Sequence, residues 1–288
     1  MRLVNFRHNG RVEFGIERDR FVRSLAGAGY ASDTSFFAAA DKDLDKALNA
    51  ARNLAAQPDA PQIPLNEVQL LAPVLHPGKI LCVGLNYRDH AVESKMTIPE
   101  VPTIFLKLPN AVTGPDSDII LPRNSAQPDY EAEFAAVIGR TGKNIRREDW
   151  RPYVLGYTIL NDVSARDVQL ATSQWTLGKS FDTFAPIGPA IVTADEIEDP
   201  HSLDIQLAIN GEILQHSNTK HLIFKLPDLI AHLSSVITLE PGDIISTGTP
   251  AGVGLGRTPQ RWLKPGEEIV ITIERIGQLR NRAVAASA

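Results

Sequence analysis

The chain has 288 residues, of which 43% are hydrophobic and 22% charged, a composition typical of a globular protein that buries a sizeable core. Its formal net charge of -5 argues against a general binder of nucleic acid or anionic membranes, because no basic excess is present to release counterions. A single cysteine, Cys82, excludes an intramolecular disulfide framework and indicates a reducing compartment.

The N-terminus and the apolar segments predict neither a signal peptide nor a membrane span. Residues 1–6 lead into a polar turn and not into the apolar core of a signal peptide. No apolar run reaches the length that crosses a bilayer. We therefore expect a cytoplasmic protein that binds neither nucleic acid nor membranes.

The first part of the chain predicts a hairpin and a helix. Two apolar-rich segments within residues 3–17 flank Asn9-Gly10, a dipeptide that favours tight hairpin turns. Apolar residues then recur at helical spacing over residues 44–54, and this pattern ends at Pro58.

A proline-rich connection follows this helix. Five prolines punctuate residues 58–77 with no strong helical period between them, a pattern typical of a linker. We therefore divide the chain into a small N-terminal domain with its linker, residues 1–72, and a larger domain, residues 73–288.

A strand pattern at residues 79–84 opens the larger domain and leads to a histidine and a glutamate. If a short helix follows, His90 and Glu93 lie on the same face. A carboxylate beside an imidazole fixes its tautomer and raises its basicity, as a general base that activates water requires. Such pairs are also common on exposed turns, and the pair alone leaves that alternative open. The polar segment 94–102 is a candidate cover over a site.

Three carboxylates on two strands predict a metal site. Residues 129–139 have a strand pattern in which Glu131 and Glu133 share one face. Residues 154–160 form a second buried strand pattern, which ends beside Asp162. Because this set contains neither Cys nor His, it favours Mg²⁺, Mn²⁺ or Ca²⁺ over zinc.

The alternative interpretation of the two glutamates is a solvated strand face. A Glu-x-Glu pattern in a strand more often faces water than a metal ion. Here an apolar run follows the glutamates, a second acidic strand end comes later, and two buried like charges repel unless a cation lies between them. The residues by themselves therefore leave both interpretations open.

Further polar residues are candidates for binding substrate. Lys107 ends a strand pattern and either reaches the surface or points into a pocket. Ser164 and Asp167 have the spacing of a capping box, which predicts a helix that begins at Ser164. Arg166 and Gln169 would share a face of this helix, where Arg166 either neutralises the carboxylates or binds substrate.

Two later segments add candidates. Lys179 follows a glycine and precedes an irregular segment, which suits an ammonium group over a developing oxyanion, although a solvated loop lysine is the alternative. Residues 247–254 are rich in glycine but lack the ending of a P-loop; the backbone and Thr249 can still bind a carboxylate. An apolar stripe of helical period predicts a helix within residues 224–239.

The larger domain resembles the fumarylacetoacetate hydrolase family in six ordered motifs. They are GLNYRDHAVE (84–93), PTIFLK (102–107), DYEAEFAAVIG (129–139), GYTILNDVSARDVQ (156–169), GKSFDTFAPIGP (178–189) and STGTPAGVG (246–254). The resemblance implies an α+β, mostly β fold, with a mixed β-sandwich or roll in residues 73–288 and a small N-terminal α/β domain. It also implies a homodimer.

The resemblance further implies roles for the candidate residues. A divalent ion, Mg²⁺ or Mn²⁺ with Ca²⁺ as a further option, would bind Glu131, Glu133 and Asp162. The catalytic dyad, on a segment that closes over substrate, would be His90 and Glu93. The substrate contacts would be Arg166, Gln169, Lys179 and Thr249.

One motif departs from that of the animal fumarylacetoacetate hydrolases. Those enzymes carry a fourth metal-binding aspartate shortly before the dyad histidine, where this chain has Gly84-Leu85-Asn86. The chain therefore resembles the shorter bacterial-type branch and its mitochondrial relatives. That branch includes acylpyruvate hydrolases, oxaloacetate decarboxylases, ureidoglycolate lyases and hydroxymuconate-type isomerases.

The expected reaction is hydrolysis of the C3–C4 bond of a 2,4-dioxo acid of the acylpyruvate type. A 2-oxo acid chelates a metal through its carboxylate and its 2-oxo oxygen, so that the metal stabilises an enolate at C2–C3. His90, oriented by Glu93, would activate water to attack C4, and Lys179 would stabilise the enolate oxygen. The alternatives are oxaloacetate decarboxylation, isomerisation of an unsaturated dioate, and a non-catalytic protein with a structural Ca²⁺.

Overall fold

A computed structural model describes residues 1–93 and 97–287 of the chain, which form strands, α-helices and short 3-10 turns. The first ten strands are β1 (Arg2–His8), β2 (Arg11–Arg18), β3 (Phe21–Ser24), β4 (Ile63–Pro64), β5 (Gln69–Leu71), β6 (Ile80–Gly84), β7 (Thr103–Lys107), β8 (Val112–Thr113), β9 (Asp118–Leu121) and β10 (Pro128–Asp129). The later strands are β11 (Ala132–Ile138), β12 (Val154–Asn161), β13 (Ser164–Ala165), β14 (Ala185–Thr193), β15 (Asp204–Ile209), β16 (Glu212–Asn218), β17 (Ile244–Ser246), β18 (Glu268–Ile273) and β19 (Gly277–Ala285). The helices are α1 (Asp33–Lys42), α2 (Leu44–Ala55), α3 (Arg88–Glu93), α4 (Arg166–Gln169), α5 (Thr176–Lys179) and α6 (Leu226–Val236).

The strands form one large and two smaller sheets. The large sheet has twelve strands in the order β4-β3-β2-β1-β14-β12-β11-β17-β6-β7, with β5 paired to β1 and β8 paired to β14. A five-stranded sheet has the order β16-β15-β18-β19-β9, and β10 pairs with β13. Antiparallel pairs dominate, but β17 pairs with β6 in parallel, as β14 does with β8 and β19 with β9. This mixed architecture confirms the α+β, mostly β fold class.

The N-terminal hairpin forms where the sequence predicts it. Strands β1 and β2 pair antiparallel from Arg2↔Glu17 to His8↔Arg11. The turn residues Asn9 and Gly10 have φ angles of 48° and 76°, the left-handed region that a tight hairpin turn requires. Since β1 also pairs with β14, the N-terminal strands β1 to β4 belong to the same large sheet as the later strands.

Helices α1 and α2 cover one face of the large sheet. Helix α2 confirms the helix predicted from residues 44–54, whereas α1 was not predicted although Ser32 and Ser35 form a capping box at its start. Buried side chains of both helices, among them Phe36 and Leu48, pack in one core with Val137 of β11.

The opposite face of the large sheet packs against the five-stranded sheet and α6. Along β11, Phe134 and Ala136 belong to this second core, while Ala135 and Val137 belong to the helix-side core. This central strand is therefore buried on both faces. Acidic residues at its N-terminal end cannot be solvated as those of an exposed strand are.

Two local predictions differ from the structure or lie partly outside it. The segment after Asp162 continues as the short strand β13, and α4 begins only at Arg166. Ser164 Oγ donates to the Asp162 carbonyl, and the Asp167 carboxylate accepts from Ser125 and Ala126, so the expected capping box does not form. The proposed cover at 94–102 includes residues 94–96, which lie outside the described residues.

Two remaining findings concern helices. Helix α6 confirms the helix predicted within residues 224–239. In the described part of the chain, no helix has both the length and the apolar character needed to cross a membrane.

Candidate active site

A cavity of about 660 Å³ brings together most of the predicted site residues. The predicted residues that line it are His90, Glu93, Glu131, Glu133, Arg166, Gln169, Lys179 and Thr249. Asp162 lies fully buried beside it. Lys107 is not among the lining residues.

Strand register explains how the carboxylates meet. Strands β11 and β12 pair with Ala132 opposite Asn161, and the Asp162 N–H donates to the Glu131 carbonyl over 2.9 Å. Strand β17 lies on the other side of β11, with Ser246 paired to Ala135. The site is therefore built where neighbouring strands of the large sheet end, from segments far apart in sequence.

The carboxylates of Glu131, Glu133 and Asp162 form a tight acidic cluster. One ligand oxygen from each lies within 4.8 Å of the others, and all three residues are buried. Buried like charges repel unless a cation lies between them, and this set offers only oxygen atoms. The cluster therefore fits a divalent cation such as Mg²⁺ or Mn²⁺.

The surroundings of the two glutamates shift their pKa values in opposite directions. Burial, together with the charges of Asp162 and Glu131, raises the pKa of Glu133 well above its usual value. Glu133 accepts hydrogen bonds only from neutral groups among the described residues, the Ser246 hydroxyl and the Gly248 N–H. Burial alone would also raise the pKa of Glu131, but the charges of Arg166 and Lys179 outweigh it and lower that pKa.

Lys179 is an ammonium donor inside the cluster. Its Nζ donates to Glu131 Oε2 and Asp162 Oδ2, each over 2.7 Å, and lies 4.8 Å from the centroid of the Phe105 ring. Burial by itself would lower the pKa of Lys179, but the attraction of Asp162 and Glu131 is larger, so the pKa is raised. Lys179 is therefore a charged group and not the solvated loop lysine of the alternative interpretation.

Lys107 takes a position that differs from the expected substrate contact. Its Nζ donates to Asp162 Oδ1 over 2.6 Å and to the Val163 carbonyl over 3.0 Å. Its side chain is 0% exposed, and burial lowers its pKa despite the attraction of Asp162. Lys107 thus holds Asp162 in place and compensates its charge, with no surface toward the cavity.

Arg166 is committed to protein acceptors. Nε donates to Asp129 Oδ2 over 2.8 Å, Nη2 to Glu131 Oε1 over 2.5 Å and Nη1 to Gln169 Oε1 over 3.0 Å. Burial opposes its charge, but the attraction of Glu131 and Asp129 raises the pKa of Arg166 further. These contacts match the neutralising alternative and leave the amide nitrogen of Gln169 as the donor that the pair can offer a ligand.

His90 and Glu93 form the predicted pair on α3. His90 Nδ1 lies 3.1 Å from Glu93 Oε2, and Glu93 Oε1 accepts from the Gly252 N–H over 3.0 Å. Because a carboxylate can only accept, the neutral imidazole carries its proton on Nδ1 and keeps the lone pair of Nε2. With side chains 14% and 18% exposed, the pair can act as a general base in the cavity.

Thr249 offers less than its hydroxyl group suggests. Its Oγ1 donates to the Ala132 carbonyl over 3.0 Å and accepts from Gln215 Nε2 over 2.8 Å. The hydroxyl proton is thus used within the protein. The backbone N–H of Thr249 is then the donor that this residue can present to a substrate carboxylate.

Sequence reasoning missed several residues that build this site. Asp129 accepts from Arg166 Nε and from the Gly254 and Leu255 N–H groups, and Ser246 and Gly248 bind Glu133. The aromatic pair Phe105 and Trp175, with ring centroids 5.4 Å apart, and residues 255–260 line the cavity. Asp129 opens the acidic motif and was visible there, but no local pattern indicates the others.

Comparison with known proteins identifies the family. Residues 79–284 match the model described as fumarylacetoacetate (FAA) hydrolase C-terminal, and residues 1–73 match the model described as Rv2993c-like, N-terminal. The chain belongs to the fumarylacetoacetate hydrolase family. The resemblance found in the six motifs is thereby confirmed, including its bacterial-type branch.

Individual family members agree with this assignment over nearly the whole chain. Mitochondrial oxaloacetate tautomerase Fahd2a of Rattus norvegicus is 46% identical over 295 residues, which cover 99% of this chain and 92% of that protein. The structure of maleylpyruvate hydrolase from Sphingobium sp. SYK-6 in complex with manganese(II) and pyruvate has a TM-score of 0.84 and 33% identity, with both chains fully covered. The 2-hydroxyhepta-2,4-diene-1,7-dioate isomerase of Mycobacterium marinum has a TM-score of 0.79 and 36% identity, again with full coverage of both.

Proposed function

We propose that the protein is a divalent-metal-dependent tautomerase that interconverts the keto and enol forms of a 2-oxo dioate, with oxaloacetate as its substrate. The observation that carries the proposal is that the His90–Glu93 pair and the acidic cluster line or adjoin one cavity. A base facing a cation site is what removal of a proton beside a carbonyl requires. The similarity to the rat oxaloacetate tautomerase supports the choice of substrate.

The carboxylates of Glu131, Glu133 and Asp162 would hold the metal ion. When bound, Mg²⁺ or Mn²⁺ supplies a Lewis acid that polarises the 2-oxo group and makes the protons on C3 more acidic. Lys107 and Arg166 keep the ligands in position through their contacts with Asp162 and Glu131.

His90 would move the proton at C3. Its Nε2 takes this proton, the electrons of the C–H bond form the C2–C3 double bond, and Glu93 stabilises the imidazolium that results. The 2-oxo oxygen gains a proton to complete the enol, and Lys179 is the protonated donor beside the cluster. The reverse sequence converts the enol to the ketone.

Hydrolysis of a 2,4-dioxo acid is the second candidate. The same base would then take a proton from water, which attacks C4 while the C3–C4 bond breaks. The cavity of about 660 Å³ favours this option, because pockets of ~300–1,000 Å³ accommodate ligands much larger than a four-carbon diacid.

An ultraviolet assay of oxaloacetate tests for tautomerase activity. The decay of the enol absorbance of oxaloacetate is followed with purified protein and Mn²⁺, with EDTA, and with the His90→Gln variant. We expect acceleration with Mn²⁺, none with EDTA, and a loss of roughly 10²- to 10⁴-fold in the variant, the usual contribution of a general base.

Pyruvate formation distinguishes the alternatives. Pyruvate from acetylpyruvate would favour the hydrolase, and rapid pyruvate formation from oxaloacetate would favour the decarboxylase. If the wild-type protein does not accelerate enol decay with Mg²⁺ or Mn²⁺, or if His90→Gln retains full activity, the tautomerase proposal is wrong.

We also propose that the protein is a homodimer, as the family resemblance implies. Exposed apolar side chains near the cavity support this proposal. Leu106 in β7 and Leu108 just after it are each 42% exposed, and Leu177 in the adjoining α5 is 74% exposed. Strand β7 ends the large sheet, and an edge strand with apolar side chains favours association.

A further inference from the structure

One cation of the cavity, Arg257, has no acidic partner among the described residues. Among the cations that line the cavity, Arg166 binds two carboxylates and Lys179 binds two. Arg257 lines the same cavity, and no carboxylate of residues 1–93 and 97–287 lies within ion-pair distance of it. Its positive charge is therefore not neutralised by this part of the chain.

Neutral groups fix the orientation of Arg257. Its Nε donates to the Tyr130 hydroxyl and to the Gly252 carbonyl, each over 3.2 Å, and its Nη2 donates to the Leu214 carbonyl over 2.7 Å. Nη1 makes no hydrogen bond with the described residues. A half-buried guanidinium held by neutral acceptors keeps its full charge and has little orientational entropy left to lose, which suits it to bind a carboxylate.

The location of Arg257 indicates which carboxylate it would bind. The acidic cluster comes from the ends of strands in the large sheet, whereas Arg257 lies in the loop after β17. Because Arg257 lines the same cavity as Glu131 and Glu133, a 2-oxo acid bound at the cluster through its C1 carboxylate and 2-oxo oxygen would extend its other end into the space that Arg257 lines. Arg166 and Lys179 are already paired there, so Arg257 is the guanidinium that a second carboxylate can meet.

We infer that Arg257 is a specificity-determining residue that binds the distal carboxylate of a 2-oxo dioate. This inference rests on the proposed function in that it uses the same cavity and the same orientation of substrate. It explains a preference for dicarboxylates over 2-oxo acids with an apolar end, which the acidic cluster and the dyad cannot discriminate.

Two ligands of matched shape test the inference. Oxaloacetate and 4-methyl-2-oxopentanoate differ in that an isopropyl group replaces the distal carboxylate. Their binding to the Mn²⁺-loaded protein is measured by calorimetry for the wild type, Arg257→Met and Arg257→Lys. We expect the wild type to prefer oxaloacetate, and Arg257→Met to lower this preference by about 10- to 100-fold, as loss of a hydrogen bond to a charged group does.

The apolar ligand is the internal control. Its affinity should be unchanged in Arg257→Met, and Arg257→Lys should restore part of the preference for oxaloacetate because it keeps the charge. Equal loss for both ligands would show that Arg257 only supports the loop, and no preference in the wild type or no change in the variant would also overturn the inference. Selective binding without tautomerisation would contradict the proposed reaction but not the role of Arg257.

Discussion

Lys107 and Lys179 bind the same carboxylate, Asp162, through different oxygen atoms. Lys107 does not line the cavity and its side chain is 0% exposed, while Lys179 lines the cavity and also binds Glu131. Lys107 therefore positions the metal ligand Asp162, whereas Lys179 can also contact a substrate in the cavity. A buried carboxylate stripped of either partner would leave an uncompensated charge, which is strongly destabilising.

A second residue-level effect lies outside the cavity, at His201. Its Nε2 accepts from the Leu226 N–H at the start of α6 over 3.2 Å. Burial, with the charge of Lys225, lowers the pKa of His201 to about 4. The charged groups that face it are Lys225, Asp199, Arg151 and Asp228.

We expect acid to destabilise the protein through His201. Between its ordinary pKa of 6.5 and about 4, the unfolded chain binds a proton that the folded protein does not, so stability is present above pH 6.5 and falls as the pH decreases through this window. The loss is at most ~3.5 kcal/mol by linkage. Urea unfolding at several pH values, in the absence of metal, measures it.

The variants His201→Gln and His216→Gln form a matched pair for this prediction. His201→Gln keeps an acceptor for the Leu226 N–H but cannot titrate, so its stability should change less between pH 7 and pH 5. His216 is exposed, and its replacement should leave the pH dependence of the wild type. Identical pH profiles for the wild type and His201→Gln would contradict the assignment.

At the scale of elements, the loop 252–256 connects the metal ligands to the dyad. Asp129 is fully buried and binds the Gly254 and Leu255 N–H groups over 2.7 and 3.0 Å, as well as Arg166, which binds Glu131. The same loop donates from Gly252 to Glu93. A Cβ on Gly256 would lie 2.5 Å from Glu93 Cδ, so a larger residue there would displace the Glu93 carboxylate.

We expect Asp129→Asn to impair both metal binding, through Glu131, and the catalytic dyad, through Glu93. The amide has a donor group in place of one carboxylate oxygen. Either Arg166 Nε and the Leu255 N–H, which share Oδ2, or the Tyr130 and Gly254 N–H groups, which share Oδ1, then lose their acceptor. Mn²⁺ affinity, measured by calorimetry, should decrease because Arg166, which binds both Asp129 and Glu131, no longer holds Glu131 in position. At saturating Mn²⁺, kcat for oxaloacetate tautomerisation should still be lower by about 10- to 100-fold, the range for leaving a buried charged group unsatisfied.

A double-mutant cycle and a matched variant test the coupling. If Asp129 acts through the loop on Glu93, its replacement should reduce kcat much less in a Glu93→Ala background, because the contact between the Gly252 N–H and the Glu93 carboxylate is already lost. Asp243→Asn is the control, since Asp243 is equally buried but binds the Glu240 N–H and Lys79, whereas Asp129 binds Arg166 and the loop 252–256. Additive effects, or equal loss of kcat in the control, would reduce Asp129 to a general structural role.

At the scale of the whole molecule, three layers converge on the site. Helices α1 and α2 pack on one face of the large sheet, and the five-stranded sheet with α6 packs on the other. The central strands are thereby buried on both faces, which keeps water from screening the carboxylates at their ends. Near the cavity, β7 and α5 present exposed apolar side chains, Leu106 and Leu177 among them.

The proposed homodimer predicts how two surface variants differ. Leu177 in α5 and Val236 at the end of α6 are 74% and 73% exposed, but only Leu177 lies beside the exposed β7 edge. Light scattering after gel filtration should give twice the chain mass for the wild type and for Val236→Glu, and a single chain mass for Leu177→Glu. A monomeric wild type would contradict the dimer, and a dimeric Leu177→Glu would contradict the choice of surface.

Local sequence signals determined the elements whose stability is local. Asn9-Gly10 specifies its hairpin because the turn needs two positive φ angles, and the apolar stripes of α2 and α6 specify helices because one face of each is buried. The spacing of Glu131 and Glu133 likewise indicates the acidic cluster, because alternate residues of a strand share one face, and the family motifs add Asp162 to it.

Tertiary structure alone decided which partners these residues meet. Ser164 and Asp167 have the pattern of a capping box, but β13 pairing and contacts with residues 125–126 offer them other hydrogen bonds. Lys107 does not line the cavity, because its Nζ donates to Asp162 and to the Val163 carbonyl. Arg257 is unpaired because no carboxylate of the described residues lies within ion-pair distance of it. Such contacts join segments tens to more than a hundred residues apart, and local sequence patterns carry no information about them.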